Sequence, residues 1–123
     1  MFDIFTTTHF SAGHHLREYP GNCEKPHGHN WKVKVVIRAT ELDRLGMAVD
    51  FRTVKEAVKE VIDSLDHRDL NEHPDFQDKN PSSENIAVYI YKKLRKKLKT
   101  DTYRPYSVTV LETDNCGVTY CEG

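Results

Sequence analysis

Residues 31–38, Trp-Lys-Val-Lys-Val-Val-Ile-Arg, set Trp31, Val33, Val35 and Ile37 against Lys32, Lys34 and Arg38 with a period of two. Successive side chains of an extended chain point to opposite faces, so this segment needs one covered face and one wet face. It reads as a half-buried antiparallel strand. Whatever else the chain builds must supply the cover.

The cover is legible further on, where the period changes. Phe51, Val54, Val58, Val61, Ile62 and Leu65 recur at spacings of three and four behind Asp50, a good N-cap, and predict an amphipathic helix over 51–65. A second helix is signalled by Ser82 or Ser83 as cap, Glu84 in the first turn, and Ile86, Ile90, Leu94 and Leu98 four apart. Its basic end, residues 92–99, reads as cations solvating an exposed face near the negative end of the helix dipole. Phe2–Ala12 reads as a first strand interrupted at Gly13, and a loop with Pro20-Gly21 and Pro26 follows. Tyr106–Glu112 and Val118–Cys121, joined through residues 114–117, read as a terminal hairpin. The predicted fold is α+β, a four-stranded antiparallel sheet in the order β-β-α-α-β-β with both helices on one face. Such a small sheet leaves two edges open, and oligomerisation into a closed barrel would pair them.

A chain of 123 residues predicts one domain over 1–123, too short for a (β/α)₈ barrel. With 18 Lys+Arg against 19 Asp+Glu there is no global field to make nucleic acid or membrane the main partner, so a small molecule is expected. The amino terminus has no leader pattern and no segment approaches the roughly 20 apolar residues of a membrane span, which predicts a cytoplasmic protein. Cys23, Cys116 and Cys121 form neither a disulfide framework nor a CxxC pair.

The chemistry concentrates at His27-Gly28-His29. Two imidazoles two apart at the mouth of a strand share a face, in register with Trp31. A third nitrogen would complete the open three-histidine site of a catalytic zinc. His9, His14, His15, His67 and His73 are the candidates, and His14 is best placed because it follows the first strand where a hairpin brings it beside the second. Iron, nickel and copper stay open for imidazole ligands. Cys23 can be a fourth, structural ligand, or can stand off the metal as a thiolate base. Asp66-His67, directly after the first helix, pairs a carboxylate with an imidazole, as a general acid or base requires or as an ordinary helix end can show. Glu112 extends the apolar face of Val108 and Val110, either as a rim residue or as an anchor for amidine-like N–H donors.

Six ordered stretches, Phe10-Ser-Ala-Gly-His14-His-Leu16, Cys23-x-x-x-His27-Gly-His29, Gly46-Met-Ala-Val-Asp-Phe51, Leu65-Asp-His-Arg-Asp-Leu-Asn71, Asn80-Pro-Ser-Ser-Glu84 and Val110-Leu-Glu-Thr113, together resemble the 6-pyruvoyltetrahydropterin synthase/6-carboxytetrahydropterin synthase family. The resemblance implies a tunnelling fold in which trimers close a β-barrel and two trimers stack as a homohexamer. It implies Zn²⁺ on His14, His27 and His29, Cys23 as base, Asp66 with His67 contributed by a neighbouring subunit, and Glu112 gripping the pterin edge, near which Ser83 stands. The implied substrate is 7,8-dihydroneopterin triphosphate. The three-residue spacer between Cys23 and His27 resembles the queuosine-branch enzymes that make 6-carboxy-5,6,7,8-tetrahydropterin, with a pyruvoyl product as the alternative. Glu24 stands where folate-branch relatives carry a glutamate, which raises a dual function with a hydroxymethyl product. Two rivals are a cupin-like protein, which lacks its expected glutamate after His29, and a non-enzymatic zinc-binding module.

Overall fold

A computed structural model describes residues 1–18 and 25–123. In chain order these form β1 (Phe2–His14), β2 (His27–Ala39), α1 (Phe51–Asp63), β3 (Arg68–Asp69), α2 (Ser83–Leu98), β4 (Tyr103–Thr113) and β5 (Cys116–Cys121), with single 3₁₀ turns at Leu70–Glu72 and Pro74–Phe76. The sheet runs β3-β1-β2-β4-β5. Both helices pack on the sheet, α1 against β1 and α2 against β4 and β5, and on one another.

The alternation of β2 has the predicted consequence. Trp31, Val33, Val35 and Ile37 are buried under the helices, where they meet Phe10 and Ala12 from β1, Val108 and Val110 from β4, Val54, Val58, Val61 and Ile62 from α1, and Ile86, Ile90, Leu94 and Leu98 from α2. On the other face Lys32 pairs with Asp114, Lys34 lies over the Phe5 ring, and Arg38 pairs with Asp3. Asp50 caps α1 by accepting from the Arg52 N–H, and Ser82 caps α2 by accepting from the Asn85 N–H. Phe51, the first apolar position of the α1 pattern, is exposed, while Leu65 lies past the end of α1 and is buried. The basic end of α2 is partly paired, Arg95 with Glu122 and Lys97 with Glu60. Among the described residues, no helix is long and apolar enough to cross a membrane.

The four-stranded expectation is corrected in two respects. First, β3 is a fifth strand and runs parallel to β1, opposing Arg68 to Ala12 and Asp69 to Gly13, so the sheet is mixed. It forms because His67 adopts a left-handed backbone (φ 57), turning the chain sharply after α1. The His67 N–H then donates to the Ser11 carbonyl at 2.6 Å while Asp66 Oδ1 accepts from the Ser11 N–H at 2.9 Å. Two residues are too few for any alternation to announce. Second, β1 runs through Gly13 to His14, because Gly13 pairs with Gly28, and a Cβ on Gly13 would come within 3.4 Å of the His27 carbonyl. The longer hairpin puts His14 directly opposite His27 and Ala12 opposite His29.

Candidate metal centre

Three imidazoles meet at the end of the β1–β2 hairpin, on the helix-facing side. His27 and His29 lie on that side because β2 alternates, and the register of the hairpin brings His14 to them. Trp31 forms the floor, its ring edge-on to His14 at 4.8 Å and to His29 at 5.1 Å, its own N–H given to the Ala12 carbonyl at 3.2 Å. Lys32 pairs with Leu111 and Val33 with Val110 across β2 and β4, which carries Glu112 to the same end of the sheet. His14, His27, His29 and Glu112 place one ligand atom each within 4.8 Å of one another.

The hydrogen bonds determine which nitrogens face the centre. A carbonyl oxygen only accepts, so His14 Nδ1–H donates to Pro81 at 2.7 Å and His27 Nδ1–H donates to Lys25 at 2.9 Å. In the neutral rings that leaves each Nε2 as a lone pair. Glu112 Oε1 lies 3.1 Å from His14 Nε2 and 2.9 Å from His29 Nε2, yet His29 Nε2 is buried without a hydrogen-bond partner. Lone pairs and a carboxylate oxygen converge favourably only around positive charge. Three nitrogens and one oxygen form a donor set that zinc accepts, and the second ring nitrogens held by carbonyls are the usual outer support of metal-bound histidines. Burial holds the His29 imidazole below its ordinary pKa, Glu112 pulls it up, and the neighbouring imidazoles push it down again. Its neutral, ligating form is favoured by the first and last of these.

The remaining candidates fall elsewhere. Asp66 and His67 form the expected pair, Oδ2 to Nδ1 at 2.9 Å, and the Ser11 N–H bonded to Asp66 lowers its pKa first, with His67 acting the same way. The His67 side chain is largely exposed (82 %) beside a cleft of about 400 Å³ lined by Ser11, Gly13, Gly28, His29, Asn30 and Arg68. Within one chain this pair has no hydrogen bond or ion pair to the histidine cluster. Ser83 is the first residue of α2 and half-buried. Cys23 and Glu24 lie outside the described residues. Glu112, expected to touch substrate, lies against the imidazoles of His14 and His29. Its period-two position on β4 was legible, but the β2–β4 register that aims it was not. The Pro81 carbonyl that fixes His14 carried no sequence signal, because any residue supplies a carbonyl.

The sequence model of the family described as 6-pyruvoyl tetrahydropterin synthase matches residues 3–123. A 6-carboxy-5,6,7,8-tetrahydropterin synthase of Rickettsia conorii is 30% identical over 127 residues, 89% of this chain and 92% of that protein. A 6-pyruvoyl tetrahydrobiopterin synthase of Poecilia reticulata is 36% identical over 125 residues, 90% of this chain and 84% of its own. The structure of Caenorhabditis elegans 6-pyruvoyl tetrahydropterin synthase superposes with a TM-score of 0.85 at 29% identity, covering 99% of this chain and 96% of that one.

Proposed function

The chain belongs to the 6-pyruvoyl tetrahydropterin synthase family, and from that premise we propose that it is a zinc-dependent lyase acting on 7,8-dihydroneopterin triphosphate, releasing triphosphate and acetaldehyde to leave 6-carboxy-5,6,7,8-tetrahydropterin. The observation that carries the reading is the His14–His27–His29–Glu112 cluster with its inward Nε2 atoms. Bound zinc would supply Lewis acidity toward the substrate's side-chain oxygens and acidify the neighbouring C–H and O–H protons. The three imidazoles would hold it. Cys23 takes a proton from the side chain as a thiolate, and His67, kept in orientation by Asp66, moves a proton at the opposite face.

Glu112 and Ser83 hold the pterin end, so Glu112 serves both the metal rim and the substrate. The Asp66–His67 pair makes no hydrogen bond or ion pair to the cluster of its own chain, which leaves it available to a site completed across a subunit interface. The outer edge at β5, and the edge of β1 that the two-residue β3 leaves uncovered, are the surfaces a trimeric barrel, and from it a homohexamer, would pair. The carboxy product is favoured by the short spacer between Cys23 and His27 and by relatives such as the Rickettsia protein. The pyruvoyl product is the second reading, favoured by the similarity to the Poecilia enzyme.

One incubation separates these. Purified zinc-loaded protein is given dihydroneopterin triphosphate and the product is identified by mass. A carboxy-pterin with acetaldehyde is expected, a pyruvoyl product supports the second reading, and a hydroxymethyl product gives Glu24 a catalytic role. Failure to release triphosphate with zinc bound overturns the enzyme.

A further inference from the structure

Two motif asparagines have no part in the chemistry above, and both are spent on the same stretch of backbone. Asn71, buried, accepts from the His15 N–H through Oδ1 at 2.9 Å and donates to the His15 carbonyl through Nδ2 at 3.1 Å. Asn80 does the same two residues on, accepting from the Arg17 N–H at 2.8 Å and donating to the Arg17 carbonyl at 3.1 Å. A carboxamide has the donor and acceptor of a peptide group, so each asparagine stands in for a strand neighbour where β1 has ended. The Arg17 guanidinium closes the clamp onto the carbonyls of Asn71 at 3.0 Å and Lys79 at 3.3 Å.

Asn80 is fixed a second time, since its own carbonyl accepts from Asn85 Nδ2 at 2.8 Å, within the first turn of α2. The next residue is Pro81, whose ring restricts φ and whose carbonyl receives His14 Nδ1–H. Asn80 therefore holds the carbonyl that decides which nitrogen of His14 faces the centre.

We propose that Asn80, assisted by Asn71, is a positioning residue of the metal centre, acting through the Pro81 carbonyl on the orientation and tautomer of His14. The inference rests on the reading of the cluster as a metal site. No ligand atom is removed when Asn80 is changed, so the effect is on affinity through support alone, for which losses of about 10–100-fold are usual.

The test compares wild type with Asn80→Ala and with Asn80→Asp, which keeps the acceptor for the Arg17 N–H and loses the donor to the Arg17 carbonyl. Zinc dissociation constants are measured by chelator competition, and exchange of the His14 Nδ1 proton is followed by NMR in metal-free protein at a pH where the imidazoles are neutral. The expected result is a dissociation constant raised about 10–100-fold in Asn80→Ala, less in Asn80→Asp, with the His14 proton exchanging at least about tenfold faster. A folded variant that binds zinc within about twofold of wild type overturns the proposal, as does weaker binding with unchanged exchange of that proton. Should Asn80→Ala not fold, Asn80→Asp carries both measurements. A wild-type protein that binds no zinc refutes the metal reading, and proton exchange, which needs no metal, still decides whether Asn80 positions His14.

Discussion

His29 Nε2 and Glu112 Oε1 lie 2.9 Å apart, yet no hydrogen bond joins them, and the nitrogen is buried. A buried polar atom without a partner costs about 1–3 kcal/mol, a cost that a cation shared by the two atoms would relieve. Glu112→Gln keeps the shape and removes the charge. The three imidazoles should retain zinc, whereas kcat/KM should fall about 10–100-fold, the loss of one charge-assisted bond. Loss of zinc in that variant, measured by metal analysis, would make Glu112 chiefly a ligand.

Trp31 is the only tryptophan of the chain and lies edge-on to two of the imidazoles. Cobalt(II) at the cluster should quench its fluorescence, and a chelator should restore it. A metal held at a hundred times its dissociation constant should stabilise the fold by about 2.7 kcal/mol, seen as a raised Tm. In His29→Ala both effects should vanish.

Cys23→Ala should leave the zinc content at wild-type level, because four donors already gather among the described residues. Turnover should fall on the order of 10²–10⁴-fold if the thiolate is the base. A Cys23→Ala protein that loses its metal would return the thiol to the ligand set and support a structural zinc module.

His73 makes stability depend on pH. Its Nδ1 accepts from the Asp75 N–H at 3.1 Å, which only an unprotonated nitrogen does, and its ring lies against Phe76 and Tyr89. Burial, opposed by Asp75 and assisted by Arg68 and Lys93, lowers its pKa from 6.5. Below that value the unfolded chain binds a proton that the folded chain refuses, so this contribution is complete above about pH 6.5 and declines as the pH falls toward the folded value. His73→Asn keeps an acceptor for Asp75 and does not titrate. Its Tm should fall less than that of wild type between pH 7.5 and 5.5, and equal slopes would exclude His73 as the cause.

Gly117 marks the tight seam of β4 and β5. A Cβ there would stand 2.6 Å from the Val110 carbonyl oxygen and 3.0 Å from Leu111 Cα, backbone atoms that cannot rotate away. Gly117→Ala should cost about 1–3 kcal/mol by overpacking, measured by denaturant unfolding. An unchanged midpoint would show that β5, an edge strand, yields freely.

Much of the fold was legible because its signals are periodic. The alternation of Trp31 to Ile37 and the three-four spacing of Val54 to Ile62 each describe one element's buried face, a local property. β3 was not legible, since it consists of two exposed residues whose pairing depends on the left-handed turn at His67 and the carboxylate of Asp66. Gly13 looks like a break in the sequence for a related reason: glycine's freedom is visible there, whereas the opposing Gly28 that makes use of it is not.

The candidate site divides in the same way. That His27 and His29 share a face follows from local pattern, because a strand alternates, and that His14 is near them follows from the return of a hairpin. The pairing of Asp66 with His67 is equally local, since the two are neighbours in the chain. That Glu112 joins the imidazoles, that Pro81 orients His14, and that Asn71 and Asn80 hold the exit of β1 emerges only from the packed fold. Those relations span 98, 67, 56 and 63 residues of chain. They depend on strand register and on backbone carbonyls. A sequence specifies neither locally, and both become fixed only when the core packs.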